Sequence, residues 1–370
     1  AVTSITSITS ITRGHAMMSP AELLNTALTM HASDIHLSAG EPPRLRIDGD
    51  VRALDMPAMS AEQVSQIIYS ALSDEQRHTL EETKELDFAY DMGDRVRARI
   101  NIFMQRRGLA AAFRLVPTTP LRLDTLMLPP IVPSLCELDS GLVLVVGPTG
   151  SGKTTTLAAM IDRINETTDG HILTVEDPIE FVHVSKRCLI HQRELGLHTK
   201  SFANSLRSAL REDPDVIFIG EMRDTETMRL ALTAAETGHL VFSTLHAPDA
   251  AQTIERIIDG FPAEQQVQIR VTLAEVLQAV LCQRLLKRRG GGRIAAVEVM
   301  RATGAVRNLI REGKGHQLTS VMQTSHGDGM QTMRAALEQL VESNNVALED
   351  ARAIDPDVRG SMGVRIPARA

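Results

Sequence analysis

The sequence predicts an α/β protein: a mainly parallel sheet interleaved with helices in the second half, preceded by a smaller α+β domain. Four continuous apolar runs, Leu142–Val146 (LVLVV), Ile172–Val175, Val216–Ile219 and Leu240–Phe242, read as strands covered on both faces. Helical patterns stand among them, at Thr154–Asn165, Thr199–Arg211 and Thr225–Thr237. Strands alternating with helices imply a doubly wound parallel sheet. Before about Val116 the pattern instead changes quickly between short helices and short strands.

Taken in order, residues 1–17 repeat TSI three times within Thr3–Ile11 and lack the long apolar core of a secretory signal. They read as a low-complexity, disordered tail, with Met17 or Met18 as the natural beginning. The first domain is expected over 18–116. Pro20–Met30 reads as a helix, with Ser19 as N-cap, Pro20 at the first helical position and an apolar stripe of Leu23, Leu24, Ala27 and Leu28. Arg44–Ile47 and Val96–Phe103 alternate as strands do, with an Asp48-Gly49 turn between strand-like runs. Pro117–Pro133 holds five prolines and little periodicity, and reads as an interdomain connection. The second domain is expected over 134–355, mostly helical in pattern from Ala263 onward, followed by a tail over 356–370.

Bulk numbers narrow the class. A chain of 370 residues with 43% hydrophobic and 23% charged content has room for two globular cores. A net charge of −7 argues against a protein built to coat nucleic acid, so no direct nucleic-acid partner is expected. No run approaches the ~18 apolar residues of a membrane-spanning helix. Cys136, Cys188 and Cys282 are widely separated, which leaves neither a disulfide framework nor a cysteine zinc site and fits a reducing cytosol. They read as small buried hydrophobes.

The segment Gly147–Thr154, GPTGSGKT, matches GxxxxGK[ST] between an apolar strand and a helix, the context that a chance glycine-rich turn lacks. Gly147, Gly150 and Gly152 permit a tight loop, shared by Pro148, Thr149 and Ser151, whose N–H groups face phosphates. The helix N-terminus beginning near Thr154 and Thr155 adds partial positive charge. Lys153 is placed to reach the β- and γ-phosphates of ATP, and the Thr154 hydroxyl to ligate Mg²⁺.

Ligands of open α/β sheets sit beyond the carboxyl ends of the strands. There Ile172–Val175 runs into Glu176, Asp177 and Glu180, Val216–Ile219 into Gly220 and Glu221, and Leu240–Phe242 through Ser243 and Thr244 to His246. One acidic strand end would be no more than a helix cap. A phosphate loop, two carboxylate ends and a histidine together predict hydrolysis. Glu221 is the expected general base, orienting a water near the γ-phosphate. For Glu180 and the pair Glu176/Asp177, water or metal positioning competes with capping. His246 is placed to sense the γ-phosphate, against the plainer reading of a structural histidine, which weighs more heavily for His239.

In this order GPTGSGKTTT, ILTVEDPIEF, LREDPDVIFIGEMRDTET and TAAETGHLVFSTLHAPDAA resemble the Walker A loop, Asp box, Walker B segment and His box of the secretion-superfamily ATPases. Those are the hexameric motors of type IV pili and type II secretion. ASDIHLSAGEPPRLRIDGDV resembles the opening of the family's small PAS-like domain. The resemblance implies a RecA-like P-loop ATPase domain behind a PAS-like domain, with ATP and Mg²⁺ as ligands and Glu180 and Glu221 touching the metal through water. Arg99 in RARIN and Arg114 in AAFRLVP match first-domain arginines that approach the phosphates in the family; the plainer reading is a surface salt-bridge partner. Arg207 and Arg211 match positions at subunit contacts.

Within the family the resemblance is nearest to the pilus-retraction branch. The chain opens close to the PAS-like domain and lacks the four-cysteine loop of the assembly motors. Ala305–Glu312 (AVRNLIRE) and Gly329–Thr332 (GMQT) resemble retraction motifs, although AVRNLIRE also reads as an ordinary amphipathic helix with Val306, Leu309 and Ile310 on one face. The branch implies a cytoplasmic homohexamer at the inner-membrane face of the pilus base, working on a platform protein, with a paralogous accessory retraction ATPase as possible companion. The alternatives are that accessory paralogue itself, a type II secretion or DNA-transfer assembly ATPase, and a nucleotide-gated regulator that barely turns over ATP. The set Lys153, Thr154, Glu221 and His246 weighs against the last.

Overall fold

The computed structural model describes residues 19–47, 49–91, 97–116 and 120–359. The TSI run, Asp48 of the expected turn, Val96, Pro117 and the tail from 360 lie outside the described residues. The chain divides into two compact units, the first ending at 118 and the second starting at 119.

In the first unit α1 (Pro20–Thr29) starts where the sequence places it: Ser19 accepts the Glu22 N–H while the Glu22 side chain accepts the Ser19 N–H, a capping box. Serines open α2 (Ala61–Ser70) and α3 (Asp74–Thr83) in the same way, each with glutamine as the returning partner. Six strands, β1 (Asp34–Ser38), β2 (Arg44–Ile47), β3 (Asp50–Ala53), β4 (Glu85–Asp91), β5 (Arg97–Gln105) and β6 (Gly108–Val116), form one antiparallel sheet in the order β3-β2-β1-β6-β5-β4. Leu23, Leu24, Ile67 and Ile68 from the helices close over Ile35, Ile100 and Phe113 of the sheet.

The second unit holds a seven-stranded sheet. Its strands are β7 (Gly141–Val146), β8 (His171–Glu176), β9 (Leu189–Glu194), β10 (Val216–Ile219), β11 (Leu240–Leu245), β12 (Leu277–Lys287) and β13 (Arg293–Arg301). The order is β13-β12-β7-β11-β10-β8-β9, every neighbouring pair parallel except β12 with β13. Two cores explain the continuous apolar runs. Leu142, Leu144 and Val146 face one core, together with helices α7 (Thr225–Glu236), α8 (Ala250–Asp259) and α9 (Ala263–Val276). Val143 and Val145 face the other, together with α4 (Val132–Leu135) and α5 (Lys153–Thr167). Leu123 and Val132, from the proline-rich stretch, belong to this second core. Register brings the strand ends level: Ile219 pairs with both Val175 and Ser243, and Leu245 pairs with Val146.

The region after Ala263 departs from the helical expectation. Helix α9 passes directly into β12, and β12 and β13 form a hairpin of 11 and 9 residues. Gly290, Gly291 and Gly292 turn it with φ of 90°, 107° and 74°. Helices α10 (Gly304–Arg311), α11 (Leu318–Thr324), α12 (Met333–Glu342) and α13 (Leu348–Arg352) follow. Among the described residues, no helix is long and apolar enough to cross a membrane.

Candidate active site

The phosphate loop is shaped by the strand beside it. At Gly147, with φ of 143°, a Cβ would stand 2.5 Å from the carbonyl oxygen of Gln283 on β12 and 2.7 Å from the Ser151 hydroxyl, so only glycine fits. Gly150 and Gly152 also have positive φ, 77° and 90°. Lys153 is buried, and its Nζ donates to the carbonyls of Gly147 and Pro148, both at 3.0 Å. Burial lowers its pKa, while the charges of Glu221 and Glu180 act to raise it.

These residues fit a polyphosphate. Helix α5 of 15 residues begins at Gly152 without any side-chain cap, leaving its first N–H groups to face an anion. The Ser151 hydroxyl is buried without a partner, as is Oε1 of Gln283, whose Nε2 donates to Thr156 on α5 at 2.8 Å. Thr154 and Thr155 are half-buried, and Pro148 and Thr149 form the exposed apex of the loop.

Glu221 lies just beyond β10 with both carboxylate oxygens engaged. His246 Nε2 is 3.3 Å from Oε1, and Arg223 Nε donates to Oε2 at 2.9 Å. Arg223 also approaches Asp177, with Nη1 3.7 Å from Oδ2. The Ser243 and Thr244 hydroxyls donate to the carbonyls of Ile219 and Gly220 at 2.9 and 2.6 Å, fastening this strand end to the one that leads to His246. Gly220 permits the close approach of β8, because a Cβ there would stand 3.2 Å from Glu176 Cα.

Glu176 is buried beneath these groups, accepting from Thr174 Oγ1 at 2.7 Å and from Gln192 Nε2 at 3.1 Å. Burial pushes its pKa up to about 7, against the lowering effect of those donors and of the Glu180 N–H. Asp177 and Pro178 are joined by a cis peptide bond, and Glu180 is exposed on the turn that follows. Lys153, Glu180, Glu221 and His246 thus converge at one sheet edge. Sequence reasoning missed Arg223, although GEMRD places it two residues after Glu221.

Other expected residues stand elsewhere. Arg114 donates through Nε to Asp34 Oδ1 at 3.0 Å with 72% of its side chain exposed, and Arg99 lies 3.6 Å from Asp87, both within the first unit. Arg207 pairs with Glu226, which joins α6 (Phe202–Ala209) to α7, and Arg211 is exposed. His239 bonds to the Ala234 carbonyl at 2.9 Å and to Thr237 at 3.2 Å, a structural role at the end of α7.

The model of the family described as "Type II/IV secretion system protein" matches residues 15–290, a span that holds the phosphate loop and the three strand ends. The chain belongs to the type II/IV secretion system family. This secretion-family chain is 52% identical over 331 residues to the Type IV pilus retractation ATPase PilT of Pseudomonas aeruginosa, covering 90% of the chain and 96% of the relative. A Twitching motility protein of Neisseria gonorrhoeae is 54% identical over 311 residues, covering 84% and 83%. The crystal structure of the pilus retraction motor PilT with bound ADP matches with a TM-score of 0.83 at 48% identity, covering 92% of this chain and 97% of that one. The expected family and α/β secretion-ATPase fold are thereby borne out.

In the secretion-family chain AVRNLIRE forms α10 and its close. Val306 and Ile310 are buried in the core, with Leu309 packed against it. Arg307 caps the end of α9, donating to the carbonyls of Ala274 and, at 2.6 Å, Glu275. Asn308, Arg311 and Glu312 face outward. GMQT is occupied in packing: Met330 is buried, Gln331 bonds to Val297 on β13 and Thr332 caps α12.

Proposed function

We propose that this secretion-family ATPase powers type IV pilus retraction. The convergence of Lys153, Glu180, Glu221 and His246 carries the hydrolytic part of the reading, and 52% identity across nearly the whole of a retraction ATPase carries the direction of work. Lys153 and the open N-terminus of α5 bind the β- and γ-phosphates of ATP. Glu221, held by His246 and Arg223, orients the attacking water. Mg²⁺ suits the hydroxyl oxygen of Thr154, with Glu180 and Glu221 reaching it through water, and when bound it neutralises phosphate charge.

Arg99 and Arg114 supply positive charge to the phosphates as the ring turns over. Six copies form the ring, through contacts that include Arg207 and Arg211. It works at the cytoplasmic face of the inner membrane, turning a platform protein so that pilin returns to the membrane, and a paralogous ATPase assists it. A first domain over 18–116, a connection over 117–133 and an ATPase domain over 134–355 remain the proposed division of labour along the chain, with Leu123 and Val132 of the connection packed into the second unit's core.

Gene disruption tests the reading. A retraction motor leaves cells that carry surface pili and do not twitch, whereas bald cells identify an assembly motor. Steady-state turnover by the purified protein, lost in Glu221→Ala, tests hydrolysis separately.

A further inference from the structure

Glu180 sits on a turn, residues 177–183, that no backbone ladder holds. Among the described residues, none of 177–183 makes a backbone–backbone hydrogen bond. The edge strand β9 holds the turn through two side chains on one of its faces, Gln192 and Glu194, as the two-residue period of a strand requires.

The Gln192 amide stands in for a peptide group. Its Nε2 donates to the Phe181 carbonyl at 2.9 Å and its Oε1 accepts the His183 N–H at 2.7 Å, the pattern a neighbouring strand would present. The same Nε2 reaches Glu176 Oε1 at 3.1 Å. Glu194 is buried, and its Oε2 accepts the Ile179 N–H at 3.1 Å, one residue before Glu180. Further along, Asn165 of α5, the helix that begins at the phosphate loop, accepts the Lys186 N–H at 2.9 Å and donates to the Val184 carbonyl at 2.8 Å. Polar side chains thus hang the whole segment between the edge strand and the phosphate-loop helix, and Glu180 acts on the charge of Lys153 from it.

We propose that Gln192 and Glu194 are positioning residues for Glu180, fixing its turn so that its carboxylate meets the phosphate end of the nucleotide. This rests on the hydrolytic reading above. The Glu180 N–H also meets the buried Glu176 carboxylate, itself bonded to Gln192, so these side chains together set where Glu180 stands, and a misplacement of about 1 Å costs up to about 100-fold in rate.

The test compares ATP turnover and ADP affinity in the full-length protein. Gln192→Ala and Glu194→Ala are expected to lower kcat by about tenfold or more, with KM for ATP and Kd for ADP within about twofold of the parent. Glu194→Gln, which keeps an acceptor for the Ile179 N–H, is expected to retain kcat within about threefold. Turnover within twofold of the parent in both alanine variants overturns the proposal, as does joint loss of turnover and ADP affinity in both, the mark of a collapsed edge strand. Glu180→Gln is measured alongside. If it slows turnover while the alanine variants do not, only this inference falls. If it leaves turnover unchanged, the role of Glu180 falls and this inference with it.

Discussion

The guanidinium of Arg223 donates through Nε to Oε2 of Glu221 at 2.9 Å. The carboxylate proposed to orient water is therefore held from two sides, since His246 stands 3.3 Å from its other oxygen. Removing Arg223 frees one oxygen and lets the side chain rotate. Arg223→Ala is expected to lower kcat roughly 10- to 100-fold with ADP affinity little changed. Arg223→Lys is expected not to restore it, because an ammonium cannot hold Glu221 and Asp177 through one planar fork. Steady-state ATPase kinetics beside ADP titration decide both.

Gly147→Ala tests the shaping of the loop. The added methyl would stand 2.5 Å from the Gln283 carbonyl, on a backbone with φ of 143°. The Gln283 carbonyl is backbone of β12 and cannot swing aside as a side chain would, so ADP affinity is expected to fall roughly 100-fold and the melting temperature to drop. Unchanged ADP binding by calorimetry would sink this account of the loop.

Glu176 gives stability a pH dependence with a definite sign. Its pKa in the folded protein is about 7 against an ordinary 4.5, so the folded state binds the extra proton between those values. That contribution to stability is complete below about pH 4.5 and is lost as pH rises through about 7, amounting to roughly 3 kcal/mol. Glu176→Gln removes the titration. The melting temperature of the parent relative to this variant is expected to fall between pH 5 and pH 8; a constant difference would show that Glu176 does not titrate there.

Glu298 fastens two helices to the sheet. Its buried carboxylate accepts the Ala250 N–H at 2.8 Å and the Met333 N–H at 3.2 Å, the first N–H groups of α8 and α12. Glu298→Ala strands both donors and is expected to cost about 2–4 kcal/mol in urea unfolding.

Arg114→Ala separates stability from turnover in the first unit. Its pair with Asp34 is largely exposed on the arginine side, so the loss of stability is expected to stay under about 1 kcal/mol. If Arg114 neutralises transition-state charge, kcat falls on the order of 1,000-fold. A variant that folds and turns over like the parent would return this arginine to the role of a salt-bridge partner.

What the sequence reveals follows the physics of burial. β7, β8, β10 and β11 are covered on both faces, and Leu142–Val146 advertises that with five consecutive apolar residues. β9 is legible only in three dimensions, since LIHQRE lies at an edge and spends its polar residues on a neighbouring turn. The β12–β13 hairpin was hidden because Val276 and Leu277 join helix to strand without glycine or proline, and a short apolar run fits either period. At the site, motif spacing marks Lys153, Glu180, Glu221 and His246. The groups that aim them, Arg223, Gln192 and Glu194, act through side-chain bonds across strands, which no local pattern encodes.

AVRNLIRE divides its labour between anchorage and display. Val306 and Ile310 are sunk in the core and Arg307 is spent on the carbonyls at the end of α9, which leaves Ala305, Asn308, Arg311 and Glu312 as the exposed edge of the segment. Loss of traction in an Arg307 or Ile310 variant therefore reports a displaced helix. Substitutions along the outer edge leave that anchorage in place and so test whether a partner reads the helix there.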